Sequence, residues 1–168
     1  MATTFVPGSG DGFRPWGRSK VQHFPEAASQ TFKRGYPVIL DAASTEGRVR
    51  VASNDPTAAI VGVAAADASG TTGAMVPVWL AKPELQFIGR TIASDPIDFT
   101  DIGSARAIEA HASLAIWVVD TTDAGADSVV IEHYINPDTK AYLTAEGDSE
   151  GEVVFHFDPK ATIFGAGT

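Results

Sequence analysis

From residue 35 onward the chain is written in short β-branched runs, separated by turn signals every 8–15 residues. Tyr36 to Leu40 is one such run, ended by Asp41-Ala-Ala-Ser-Thr-Glu-Gly47. Arg48-Val49-Arg50-Val51 alternates strictly, which puts Val49 and Val51 on one face and the two arginines on the other. Ala59–Ala66, Met75–Leu80, Gln86–Ile92, Leu114–Val119, Ser128–Ile135 and Glu152–Phe157 continue the series. In the last of these, Val153, Phe155 and Phe157 share one face, and Val154 and His156 share the other. Ser104–Ala112 is rich in Ala and Glu and reads equally as a short helix or a strand. About eight short strands with Gly-rich turns predict a mainly all-β body, a small barrel or sandwich. No sequence repeat of 20–50 residues points to a solenoid or propeller.

Residues 1–34 have a different texture. Gly8, Gly10, Gly12 and Gly17 alternate with Pro7, Pro15 and Pro25, and no helical or strand period survives. Such a segment cannot fold alone, because Gly raises the ordering cost and Pro breaks hydrogen-bonded ladders. Yet solvated linkers are poor in aromatics, and this one carries Phe5, Phe13, Trp16 and Phe24. The expected organisation is an extended N-terminal arm, 1–34, on a β-rich body, 35–168, which divides further into 35–92 and 93–168. Phe5, Phe13, Arg14, Trp16, Arg18 and Phe24 are the candidate partner-binding residues of the arm. The other reading is that these aromatics pack back onto the chain's own body.

Charge follows the same division. The arm holds five basic and two acidic groups, a net of +3 within a chain of net charge -9. The other 134 residues hold seven basic and nineteen acidic groups, a net of -12. An acidic balance argues against a general nucleic-acid binder, which needs positive charge to displace counterions from phosphates. The longest apolar stretch, Ala58–Ala66, is nine residues and too short to span a bilayer. The first 25 residues have no apolar core of a secretory signal, so none is expected. With no cysteine, there is no disulfide framework and no Cys-based metal site.

Three stretches suggest catalytic or metal chemistry, and each has a plainer reading. Val118-Val119-Asp120-Thr121-Thr122 resembles the aspartic-protease signature, but Thr122 stands where that loop needs Gly. A strand ending in Asp and turning through Thr-Thr-Asp-Ala-Gly is the simpler reading. His23, His111, His133 and His156 are scattered, and the Glu132/His133 and His156/Asp158 neighbours do not form a ligand set. Glu146-Gly-Asp148-Ser-Glu150-Gly-Glu152 lacks the spacing of a calcium loop. The chain is therefore expected not to be an enzyme, with an aspartic hydrolase as the remote alternative. Another alternative is a β-sandwich module that binds a host carbohydrate or other receptor, which would need Trp79 or Trp117 exposed on the body.

One stretch resembles a known family. Gly35-Tyr-Pro-Val-Ile-Leu-Asp41, Gly47-Arg-Val-Arg-Val51, Ile60-Val-Gly-Val-Ala-Ala-Ala-Asp-Ala-Ser-Gly70 and Gly73-Ala-Met-Val-Pro-Val78 are similar to the small β domains of tailed-bacteriophage head decoration, or cement, proteins of the lambda-like type. The resemblance covers about residues 35–92. It implies a structural protein of the virion, often a homotrimer, bound to the outer surface of the major capsid protein and clamping neighbouring capsomers through an extended arm. It also implies assembly in the host bacterial cytoplasm and no cofactor. Many weak contacts on one shell would add through avidity.

Overall fold

A computed structural model describes residues 12–91, 98–123, 125, 127–136, 139–143 and 151–165. Eleven strands follow in order: β1 Arg14–Trp16, β2 Val21–Pro25, β3 Pro37–Leu40, β4 Val49–Val51, β5 Ile60–Ala64, β6 Met75–Leu80, β7 Gln86–Thr91, β8 Ala105–Ala110, β9 Trp117–Asp120, β10 Val129–Ile135 and β11 Glu152–Phe157. Among the described residues one 3-10 turn, Phe99–Asp101, precedes β8. The fold is all-β, as the alternating runs predict, and the ambiguous stretch 104–112 is a strand over Ala105–Ala110.

The strands form two five-membered units. In the second, β7, β11, β10, β8 and β9 pair in that order, and parallel pairing of β9 with β7 closes them into a barrel. In the first, β2, β6, β5, β3 and β4 pair in order. A parallel bridge from Glu26 to Val49 brings its two ends together, and Ala27 N–H donates to the Val49 carbonyl at 2.9 Å. This bridge covers the outer edge of the first unit at the Glu26 end of β2 and leaves the rest of that edge unpaired among the described residues.

The two units are the same device built twice. Each runs first strand to fifth, fifth to fourth, fourth to second, second to third, all antiparallel, and then third back to first in parallel. The register agrees around the whole ring. Pro25 faces Met75 as Arg90 faces Glu152, and Gly62 faces Leu80 as Val129 faces Phe157. Val38 faces Gly62 as Arg106 faces Val129, and Leu40 faces Val49 as Ile108 faces Val119. The closing contacts are Glu26 with Val49 and Thr91 with Val119. Even a flanking hydrogen bond recurs: Glu26 N–H to the Ala74 carbonyl at 2.8 Å, and Thr91 N–H to the Gly151 carbonyl at 3.2 Å.

The equivalent side chains differ in bulk, and the cores differ with them. Inward-facing Val76, Val78 and Leu80 of the first unit correspond to Val153, Phe155 and Phe157 of the second. Val38, Val49, Val61, Ala64, Val76 and Val78 build the first core together with Phe32. A larger cluster fills the second barrel and continues through Ala81 and Leu85 to Ile39, Ile60 and Val63. The two units therefore share buried apolar surface.

The division differs from the one the sequence suggests. The units part between Leu80 and Gln86, so β7, which falls inside 35–92, belongs to the second. The arm is also not apart from the body. Residues 14–16 pair with β7, and residues 21–25 are the first strand of the first unit. A Gly/Pro-broken segment that cannot fold alone becomes strand when a sheet edge is present to receive it.

Candidate interaction surface

β1 lies on half of one edge of β7, with Arg14 opposite Ile88 and Trp16 opposite Gln86. The other half of that edge, Arg90 and Thr91, is taken by β9. Phe13, just before β1, is 1% exposed and sends its ring into the second barrel. It meets Phe155 edge to face, with ring centroids 5.0 Å apart. Gly89 makes the space: a Cβ there would lie 2.4 Å from Phe13 Cδ1. The position equivalent to Gly89 in the first unit is Phe24, half-buried against its core. The second barrel thus takes from the arm a ring that the first carries on its own strand.

Outside the barrel, Trp16 packs on Ile88, Ile135 and Val154, all fully buried. Arg14 donates to Glu152 Oε1 at 2.8 Å, and the Lys140 ammonium contacts Glu152 Oε2. Glu152 is only 3% exposed, so two cations offset the cost of burying its charge.

The six candidate arm residues are therefore brought to different environments. Phe13, Arg14 and Trp16 serve the chain's own second barrel, and Phe24 serves its first. Arg18 is exposed, in the link Gly17–Lys20 whose four residues are all exposed. Phe5 lies outside the described residues. A buried anchor is not available to a partner in this state, and the sequence could not show this because Phe13 and Gly89 are far apart in the chain.

The acidic side is also organised. Burial first, and then the charges of Asp123 and Asp120, hold the Asp55 carboxyl above its ordinary range. Glu109 is raised by burial and then by Asp120 and Asp55, with His111 opposing. Four carboxylates, Asp55, Glu109, Asp120 and Asp123, thus crowd one region. Asp120, the centre of the protease-like reading, is occupied locally. Its Oδ1 accepts from Thr122 N at 2.9 Å, Thr122 Oγ1 at 2.7 Å and Asp123 N at 3.3 Å.

The histidines have separate surroundings. His111 Nδ1 accepts from Ser113 N and Leu114 N, the His133 ring lies tilted against Tyr142 with centroids 4.8 Å apart, and His156 Nδ1 lies 2.6 Å from Glu132 Oε1. Among the described residues no group of three or more His, Asp or Glu could hold a metal ion. The acidic run at 146–150 lies outside the described residues; Glu152, its last member, is the buried partner of Arg14. Trp117 is 2% exposed, and half-buried Trp79 carries the Arg34 guanidinium 5.2 Å above its ring. No described helix is long and apolar enough to cross a membrane.

Comparison with known proteins returned no matching family model, no curated relative and no similar solved structure.

Proposed function

We propose that this chain is a capsid decoration, or cement, protein that binds the outer surface of a tailed-phage head and stabilises contacts between capsomers. The observation that carries the reading is where the family-like pattern falls. Gly35–Val78 supplies β3, β4, β5 and four of the six residues of β6 in the first unit. The quoted residues therefore fall on paired strands of the first unit, and the resemblance over 35–92 reaches β7 of the second. Two further features support it. The two β units share buried core residues. Their surface is polar in charge, with exposed Arg18 and Lys20 in one link and the carboxylate group of Asp55, Glu109, Asp120 and Asp123 elsewhere.

In this reading the partner is the major capsid protein, the site is the virion exterior, and the protein joins shells as a homotrimer at three-fold positions. It acts without a cofactor or a catalytic step. Because β1 and β2 belong to the fold, the exposed link Gly17–Lys20 is the part of the arm that meets the shell.

The test is negative-stain imaging of purified protein mixed with empty phage shells. Discrete added density at three-fold positions is expected, and weaker coating by an Arg18→Glu/Lys20→Glu variant. Shells that stay bare at saturating protein sink the proposal.

A further inference from the structure

The repeated register exposes a place that is filled in one barrel and open in the other. β1 pairs with β7 through Gln86 and Ile88. The equivalent residues of the first unit are Val21 and His23 of β2. In β2 the Lys20 carbonyl accepts from Leu80 N and the Glu26 N–H donates to Ala74 O, so alternate residues serve β6. The backbone groups of Val21 and His23 point the other way. Among the described residues no strand pairs with that edge, and Val21, Gln22 and His23 are all exposed.

The face beside this edge is apolar and uncovered. Val21 is 51% and Met75 58% exposed, with Pro25, Pro77 and Trp79 half-buried around them. At the positions equivalent to His23 and Pro77 in the second barrel, Ile88 and Val154 are 0% exposed beneath Trp16.

The chain holds a segment of matching order. Phe5-Val6-Pro7 repeats the Phe-x-Pro of Phe13-Arg14-Pro15, eight residues upstream. In β1 the middle residue pairs with Ile88, and the proline stands opposite Phe87, where the strand needs no N–H. The middle residue also follows its surroundings. Arg14 meets Glu152, whereas the first unit has Met75 at that position, and the upstream segment has apolar Val6. Phe24 already fills the first core where Gly89 leaves a gap in the second, so an occupant has only to pair the edge.

We propose that the Val21–His23 edge is a strand-acceptor site for the chain's own Phe5-Val6-Pro7-Gly8. The segment runs antiparallel to β2, with Val6 beside His23, Pro7 beside Gln22 and Gly8 beside Val21. Gly12 and Phe13 are held against Gly35, so the tether is Ser9–Asp11, and its shortness favours this segment over one from a second copy in dilute solution. The inference does not depend on the capsid reading, and its test involves no shell.

The chain has no cysteine, so a designed pair reports alone. In a Val6→Cys/His23→Cys variant, facing Cα atoms about 5.5 Å apart suit a disulfide. Mild oxidation is expected to give an intrachain bond, seen on non-reducing gels as a monomer. Its yield should be at least about tenfold above a Val6→Cys/Ile102→Cys control. Disulfide-linked dimers, or a yield equal to the control, overturn the proposal. Amide exchange gives a second reading without cysteines. Val21 and His23 should exchange at least about tenfold more slowly in the full chain than after deletion of residues 2–11, and equal rates overturn it.

Discussion

Phe13 stands edge to face on Phe155, ring centroids 5.0 Å apart, in a space that exists because residue 89 is glycine. Truncating that ring leaves a cavity that the surrounding Phe87, Phe155 and Phe157 cannot close. Phe13→Ala is expected to cost about 3–5 kcal/mol, read as a lower urea midpoint at unchanged slope. A loss below about 1 kcal/mol would show that the ring is not anchored there.

Gly89→Ala makes the reciprocal point. The new Cβ would meet the Phe13 ring at 2.4 Å, so strain of about 1–3 kcal/mol is expected. Combining it with Phe13→Ala should recover part of that loss, because the clashing ring is gone. Strict additivity of the two in denaturation curves would argue against the contact.

Glu152 is nearly fully buried between Arg14 and Lys140. Arg14→Ala leaves the carboxylate with one cation and is expected to lose about 1–3 kcal/mol. Glu152→Gln should lose less when placed on the Arg14→Ala background than alone. A double-mutant cycle with no coupling would deny the pair an energetic role.

Trp16 covers Ile88, Ile135 and Val154 on the outside of the second barrel. Trp16→Ala should uncover them, raise binding of an apolar dye and lower the melting temperature. Unchanged dye binding would mean that the patch is covered by something else.

Asp55 has a positive φ of 54° and a carboxyl raised by burial and by Asp123 and Asp120. A carboxyl raised in the folded state stabilises the fold below its unfolded pKa and loses that contribution as pH rises through the folded value. Asp55→Asn removes the repulsion and keeps a residue that tolerates this backbone. A gain of a few tenths of a kcal/mol is expected at pH 7, shrinking as the pH falls through the raised folded pKa and gone by the ordinary carboxylate value of about 4. A gain that is larger in acid than at neutrality would reverse the sign of the argument.

Much of the body was legible because alternation has a local cause. Val153, Phe155 and Phe157 face one way by strand geometry alone, and they line the second barrel. Val154 was readable as outward but not as buried, since its cover, Trp16, comes from the other end of the chain. The duplication was not legible at all. Equivalent positions hold Trp79 and His156, or Met75 and Glu152, and agreement survives mainly at pairs such as Val76 with Val153 and Val49 with Val119. Hydrogen-bond register is a property of the backbone, and side chains can diverge around it as long as each interior stays full. The arm was half legible: its aromatics declared it an anchor, but whose pocket they fill depends on Gly89, which in sequence is only a small residue in a strand.

The docking of Phe13 sets an order of events during synthesis. All five strands of the first barrel are available once Leu80 has left the ribosome. The ring that precedes them lacks its edge-to-face partner until Phe155 has been made. The newest part of the protein must therefore come back to collect the oldest, and the nascent chain carries Phe13 and Trp16 uncovered while the second barrel is still being translated.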